Sequence, residues 1–239
     1  MNASREIPHL VFLPGLLNDG RLWAAQTAAL AGRAECVAGD LTGSDTMPGL
    51  AASILRAVPA QRFALAGLSM GGYVALEIMR QAPERVTALA LLDTQARPDT
   101  PQASEGRRAL MARAGVDFDG VIDTLYPKLV HPARSSDAAL KSLFGAMART
   151  LGPEVFLRQQ SAIMSRIDSR PFLARMACPT LVLCGREDGV TPVALHEEMA
   201  GAIPGATFRI IEDCGHLSAI ERPEAVTTAL EDWLASLQP

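Results

Sequence analysis

The chain has 239 residues, a mass of 25.4 kDa and a formal net charge of −4, with 49% hydrophobic and 20% charged residues. That size buries one substantial core, the acidic balance argues against nucleic acid as the main partner, and no apolar run approaches the roughly 18 residues of a membrane span. Met1 to Pro8 contains Arg5 and Glu6 and no apolar stretch of signal-peptide length, so a cytoplasmic location is expected.

In chain order, His9 to Leu13 is a short apolar run ending at Pro14-Gly15, which reads as a buried strand and a tight turn. Residues 21–31 read as a helix closed by Gly32, residues 35–38 as a second strand, and residues 48–57 as a helix after a polar loop. Phe63 to Leu68 leads into the run Met70 to Met79, which stops near Ala82-Pro83, and Val86 to Leu92 makes the next strand. The pattern resumes with strand 180–184, helix 192–202, strand 207–211 and a last helix from about 223 to 237. Strands that alternate with helices and are nearly solidly apolar predict a parallel sheet of about six strands, covered on both faces, in one α/β domain. Only eight residues precede the first strand, too few for a leading antiparallel hairpin.

Between Asp93 and Cys178 the alternation lapses, with helical stretches near 104–114, 117–130, 136–150 and 153–167. Residues 97–175 carry a net charge of +4, and the rest of the chain −8. This basic segment is either a solvated helical surface or a lid that favours an anionic substrate or an acidic carrier.

The most informative stretch is Gly67-Leu68-Ser69-Met70-Gly71-Gly72. A serine between glycines, at the passage from an apolar strand into a helix, is held exposed at the sheet edge in a tight turn. The helix N-terminus points at the same spot, so the Met70 amide is placed to donate to an oxyanion. No lysine follows, so the stretch is no phosphate-binding loop.

These residues resemble the nucleophile elbow of the α/β-hydrolase superfamily. The resemblance extends to Leu13-Pro14-Gly15-Leu16-Leu17, to Gly185-Arg186-Glu187-Asp188 and to Gly215-His216 before Glu221-Arg222-Pro223-Glu224, and so covers nearly the whole chain. It implies an α/β-hydrolase fold with a core of residues 1–96 and 176–239 and an inserted helical cap of residues 97–175.

A serine hydroxyl needs a base within reach and a carboxylate to orient that base. His216, after the last strand, is the expected base; His9 lies in the first strand, His131 in the inserted helices, and His196 on a helix face expected to turn away from the strand ends. Asp188 is the expected orienting acid, with the order Ser, Asp, His that this fold uses, and Asp93 at the end of strand 86–92 is its rival. The oxyanion donors are expected to be the backbone amides of Leu16 and Met70. Pro14 stands where a histidine usually precedes the glycine of that turn. Trp23 and Tyr73 are eligible as walls of a substrate pocket.

Cys36, Cys178, Cys184 and Cys214 have no C-x-x-C spacing and read as buried reduced thiols, and no metal site or cofactor is called for. The expected activity is hydrolysis of a small carboxylic ester through an acyl-serine. The alternatives are a C–C bond hydrolase or enol-lactonase of aromatic degradation, and a ligand receptor that keeps the fold without turnover.

Overall fold

The structure is a computed structural model that describes residues 7–237. β1 (His9–Leu13), a 3-10 turn (Gly20–Trp23), α1 (Ala24–Ala29), β2 (Glu35–Ala38), α2 (Met47–Ala57), β3 (Phe63–Leu68), α3 (Met70–Gln81) and β4 (Val86–Leu92) form the first half. Then come α4 (Pro101–Ala114), α5 (Phe118–Leu129), α6 (Ala138–Met164) and α7 (Arg170–Leu173). The chain ends with β5 (Thr180–Gly185), α8 (Val193–Ala202), β6 (Thr207–Ile211), α9 (Ser218–Glu221) and α10 (Pro223–Ala235).

The six described strands pair in the order β2-β1-β3-β4-β5-β6, all parallel. Every residue of β3 and β5 is buried, because helices cover both faces there; of the edge strands, β2 is largely exposed and β6 is half-buried to exposed. Leu10, Phe12, Ala64 and Leu92 face one core layer, and Val11, Leu13, Leu65 and Leu91 the other, as the two-residue period of a strand requires. The sheet is built outward in both directions from β1 and β3, and the loops at this switch form a crevice beyond the strand ends. The expectation about a hairpin before Pro8 falls on residues 1–6, outside the described residues.

Two helices differ from expectation. The stretch 21–31 is a 3-10 turn followed by a short helix: the Asp19 side chain accepts the Arg21 amide, and Trp23 turns inward to stack on Phe12 at 4.6 Å. The stretches 136–150 and 153–167 run on as α6 with a break at Gly152, where φ is 79° and Pro153 restarts the helix. Cys184 and Cys214 are buried, but Cys36 and Cys178 are only half-buried, since β2 is an edge strand and Cys178 precedes β5. No helix among the described residues is long and apolar enough to cross a membrane.

Candidate active site

Ser69 stands between β3 and α3 with φ 56° and ψ −115°, a backbone state that costs of order 1–3 kcal/mol and persists only where the surroundings enforce it. The enforcement is visible. The Ser69 amide donates to Leu92 O at 2.9 Å and its carbonyl accepts Thr94 Oγ1 at 2.8 Å. A side chain at Gly67 would strike the Gly71 carbonyl, and one at Gly71 would strike the Leu13 carbonyl, so the glycines let α3 start hard against the sheet.

His216 follows β6 and reaches back to the serine: its Nε2 lies 2.8 Å from Ser69 Oγ, and its Nδ1 2.8 Å from Asp188 Oδ2. Both imidazole and carboxylate are almost completely buried. Asp188 is fixed by an Asx-type turn, in which Oδ1 accepts the amides of Val190 (2.8 Å) and Thr191 (2.9 Å) and Oδ2 accepts Thr191 Oγ1 (2.7 Å). Burial alone would raise the Asp188 pKa, but the His216 charge, the His216 hydrogen bond and the Thr191 donors hold it below the ordinary carboxylate value. Burial alone would lower the His216 pKa, and the facing Asp188 carboxylate more than offsets this and holds it above 6.5.

Asp93 takes a different place. It is fully buried, accepting the Gly185 amide at 2.9 Å on Oδ1 and the Ser218 hydroxyl on Oδ2. Burial and the nearby Asp188 charge push its pKa well above the carboxylate range.

The expectation for His196 is corrected. It is fully buried and turned toward the strand ends, where Nε2 accepts the Thr94 amide at 2.8 Å. Burial drops its pKa to about 4, so it is neutral and holds the loop after β4 rather than acting on Ser69.

The turn after β1 packs on the nucleophile. A Cβ at Gly15 would lie 3.4 Å from Ser69 Cβ, and the Asn18 amide closes the turn onto Gly15 O at 3.1 Å. Among the described residues, neither the Leu16 nor the Met70 amide is given an acceptor. Leu17, at φ 57°, donates its amide to Gln159 Oε1 of α6 at 3.0 Å, and Gln159 Nε2 donates to Leu41 O at 3.2 Å. Residues 97–175 thus tie down the loops after β1 and β2. They also hold the histidine loop, since Leu129 O accepts the amides of both His216 and Leu217 at 3.1 and 3.0 Å. Glu221 accepts the His131 amide at 2.7 Å, and Glu187 accepts the Cys214 amide at 2.9 Å.

The aromatic pair divides. Tyr73 lines a shallow crevice with Met47, Gln95 and Arg166, and the Arg166 guanidinium lies 4.4 Å over its ring. Trp23 is completely buried in the core and lines neither this crevice nor the larger cavity beside Asn18. Within residues 97–175 Arg107 and Arg166 flank Asp99, Arg113 meets Asp117 and Arg149 meets Asp119, and Arg97 reaches Glu198 on α8. Burial pushes the Cys214 thiol pKa up, away from thiolate character, despite its place two residues before His216. Among the described residues no group of three His, Cys, Asp or Glu is arranged to hold a metal.

Sequence reasoning missed Thr191, Gln159, Thr94 and Ser218. Only Thr191 left a signal, the Asp-x-x-Thr spacing of a side chain that caps its own turn.

A model of the alpha/beta hydrolase fold family matches residues 8–223. A Mycobacterium tuberculosis protein carrying the name non-heme bromoperoxidase BpoC is 29% identical, with 96% of this chain and 94% of that protein aligned. A thermophilic esterase from Thermogutta terrifontis is 31% identical with a TM-score of 0.89, covering 97% of this chain and 91% of its own. The enol-lactonase of Burkholderia xenovorans has a TM-score of 0.87 over 96% of this chain and 92% of its own, at 24% identity, a likeness of fold alone.

Proposed function

The chain belongs to the alpha/beta hydrolase fold family, whose members found here support hydrolase activity, and on that premise we propose that it is a serine hydrolase of small carboxylic esters. The observation that carries the reading is the unbroken line from Ser69 Oγ through His216 to Asp188, with both contacts at 2.8 Å. Ser69 attacks the ester carbonyl as His216 takes its proton; Asp188 keeps the imidazole proton on Nδ1 and stabilises the imidazolium. The Leu16 and Met70 amides receive the tetrahedral oxyanion, each worth about 3–4 kcal/mol of barrier. His216 then returns the proton to the leaving oxygen, and a water admitted to the same base releases the acid.

In this reading residues 97–175 are the cap of a core formed by the rest of the chain. Their contribution is positional, through Gln159 on the oxyanion turn and Leu129 on the histidine loop. An enol-lactone is an ester closed in a ring and calls on the same groups. Non-productive binding differs by having no turnover at all.

The test is release of p-nitrophenol from acetate, butyrate and octanoate esters by the wild type and by Ser69→Ala. Turnover by the wild type that the variant loses supports the reading. A folded wild type without activity above background on any ester sinks it.

A further inference from the structure

Glu221 closes α9 and is only 3% exposed, yet no step of the proposed chemistry uses it. A buried carboxylate is costly unless donors meet it, so its partners tell what it is kept for. Its Oε2 accepts the His131 amide at 2.7 Å and its Oε1 the Leu217 amide at 3.3 Å. The Glu221 carbonyl accepts Arg134 Nη1 at 2.5 Å, so the residue is held through its backbone from the same side. One carboxylate thus joins the segment after α5 to the residue that follows His216.

The joint bears on the histidine loop from both ends. His216 gives its amide to Leu129 O and Leu217 shares that acceptor, so residues 215–217 lie along residues 129–131. The fit is close: a Cβ on Gly215 would come 2.3 Å from His131 N and 2.9 Å from Glu221 Oε1. Arg222, next in the chain, donates Nε to Asp213 O at 2.9 Å, and Asp213 is held at φ 50°, a strained state for a residue other than glycine. Two consecutive side chains therefore grip the loop, one before His216 and one after it.

We infer that Glu221 is a positioning residue for the base: by clamping Leu217 to His131 it holds the His216 backbone where the imidazole spans from Asp188 to Ser69. The inference rests on the proposed role of His216. Proton transfer stays with Ser69, His216 and Asp188, and Glu221 touches none of the reacting atoms. The span has little slack, since both imidazole contacts are 2.8 Å. A displacement of about an ångström at a reacting group costs roughly a hundred-fold in rate. Both carboxylate oxygens serve as acceptors, whereas a carboxamide has one acceptor oxygen and its NH₂ would face one of the two amide N–H groups.

Glu221→Gln tests this with p-nitrophenyl butyrate. Acylation and deacylation both call on His216, so kcat per folded enzyme is expected to fall about ten-fold or more, with KM within about three-fold of wild type. Unchanged kcat, or a loss confined to KM or to the folded fraction, overturns the inference while ester hydrolysis stands. If that variant does not fold, Glu221→Asp, which keeps both oxygens and shortens their reach, should show the same split, and wild-type kcat there overturns the inference. A second measurement needs no turnover. Long-range proton–nitrogen spectra, taken where the imidazole is neutral, should show wild-type His216 as the Nδ1–H tautomer facing Asp188 and Glu221→Gln as a mixture of tautomers. That change without wild-type turnover would uphold the positioning role and overturn the ester reading; the same tautomer pattern in both proteins overturns the positioning role.

Discussion

β4 ends at Leu92 and leads directly into Asp93; β5 ends at Gly185 and reaches Asp188 three residues later. Both aspartates are buried at the same edge of the sheet, within reach of each other's charge. Their partners separate them. Asp188 is given two amides, a hydroxyl and an imidazole, donors that stabilise the carboxylate, and it faces outward to His216. Asp93 is given one amide and one hydroxyl inside the fold, and its loop is pinned by His196 and by Thr94. The loop after β5 is arranged to hold a negative charge against the base. The loop after β4 is arranged to hold β5, Ser69 and α9 in place. Position at a strand end makes either acid eligible, and the donors around Asp188 favour it as the orienting acid of the proposed mechanism.

The largest effect that would break this contrast is expected from Asp188→Asn, which should lower kcat/KM by roughly ten-thousand-fold in the p-nitrophenyl butyrate assay, as loss of the orienting acid does in triads of this kind. A loss below about ten-fold would move the role to another acid.

Next comes stability in acid. His196 has its pKa pulled from 6.5 to about 4, so the unfolded chain binds a proton between these values that the folded chain refuses. Stability must therefore rise with pH across that window, by about 3 kcal/mol if the full shift is realised. Urea melts at pH 4.5 and 7 should show a smaller difference in His196→Gln than in the wild type; an equal difference contradicts the assignment.

His216 carries the opposite sign. Its raised pKa stabilises the fold below pH 6.5 and ceases to as pH climbs through the folded value, while the base form needed for attack appears over that same climb. The midpoint of kcat/KM against pH should lie above 6.5 in the wild type and fall in Asp188→Asn. A midpoint below 6.5 in the wild type is inconsistent with the Asp188–His216 pair.

The smallest effect is expected from Asp93→Asn. Asparagine keeps an oxygen for the Gly185 amide and offers an NH₂ to Ser218, so kcat/KM should stay within about ten-fold of wild type. A collapse as deep as that of Asp188→Asn would erase the distinction between the two loops.

Much of this frame was legible in the sequence. β1, β3, β4 and β5 announce themselves as solid apolar runs, and Gly67 to Gly71 marks the one passage where a strand must turn into a helix without side chains in the way. Ser69 and Asp188 are readable because each follows such a strand, and His216 because it stands between the last strand and the last long helix. The burial of His196 was not, since α8 has little apolar contrast between its faces and one histidine does not fix which face packs inward. Nor was Gln159, whose hydrogen bond to Leu17 spans 142 positions and has no local pattern. The sequence leaves Trp23 open between core and pocket wall, because an aromatic after a turn fits both; in the structure it is buried and stacks on Phe12.

One covalent bond tests the proposed serine hydrolase most directly. Rapid quenching of the enzyme with p-nitrophenyl butyrate, followed by peptide mass spectrometry, should find the butyryl group on Ser69 and nowhere else, with none in Ser69→Ala and none formed at a comparable rate in His216→Ala. Turnover without any acyl-enzyme on Ser69, or a butyryl group carried instead by another residue such as Cys214, would contradict it.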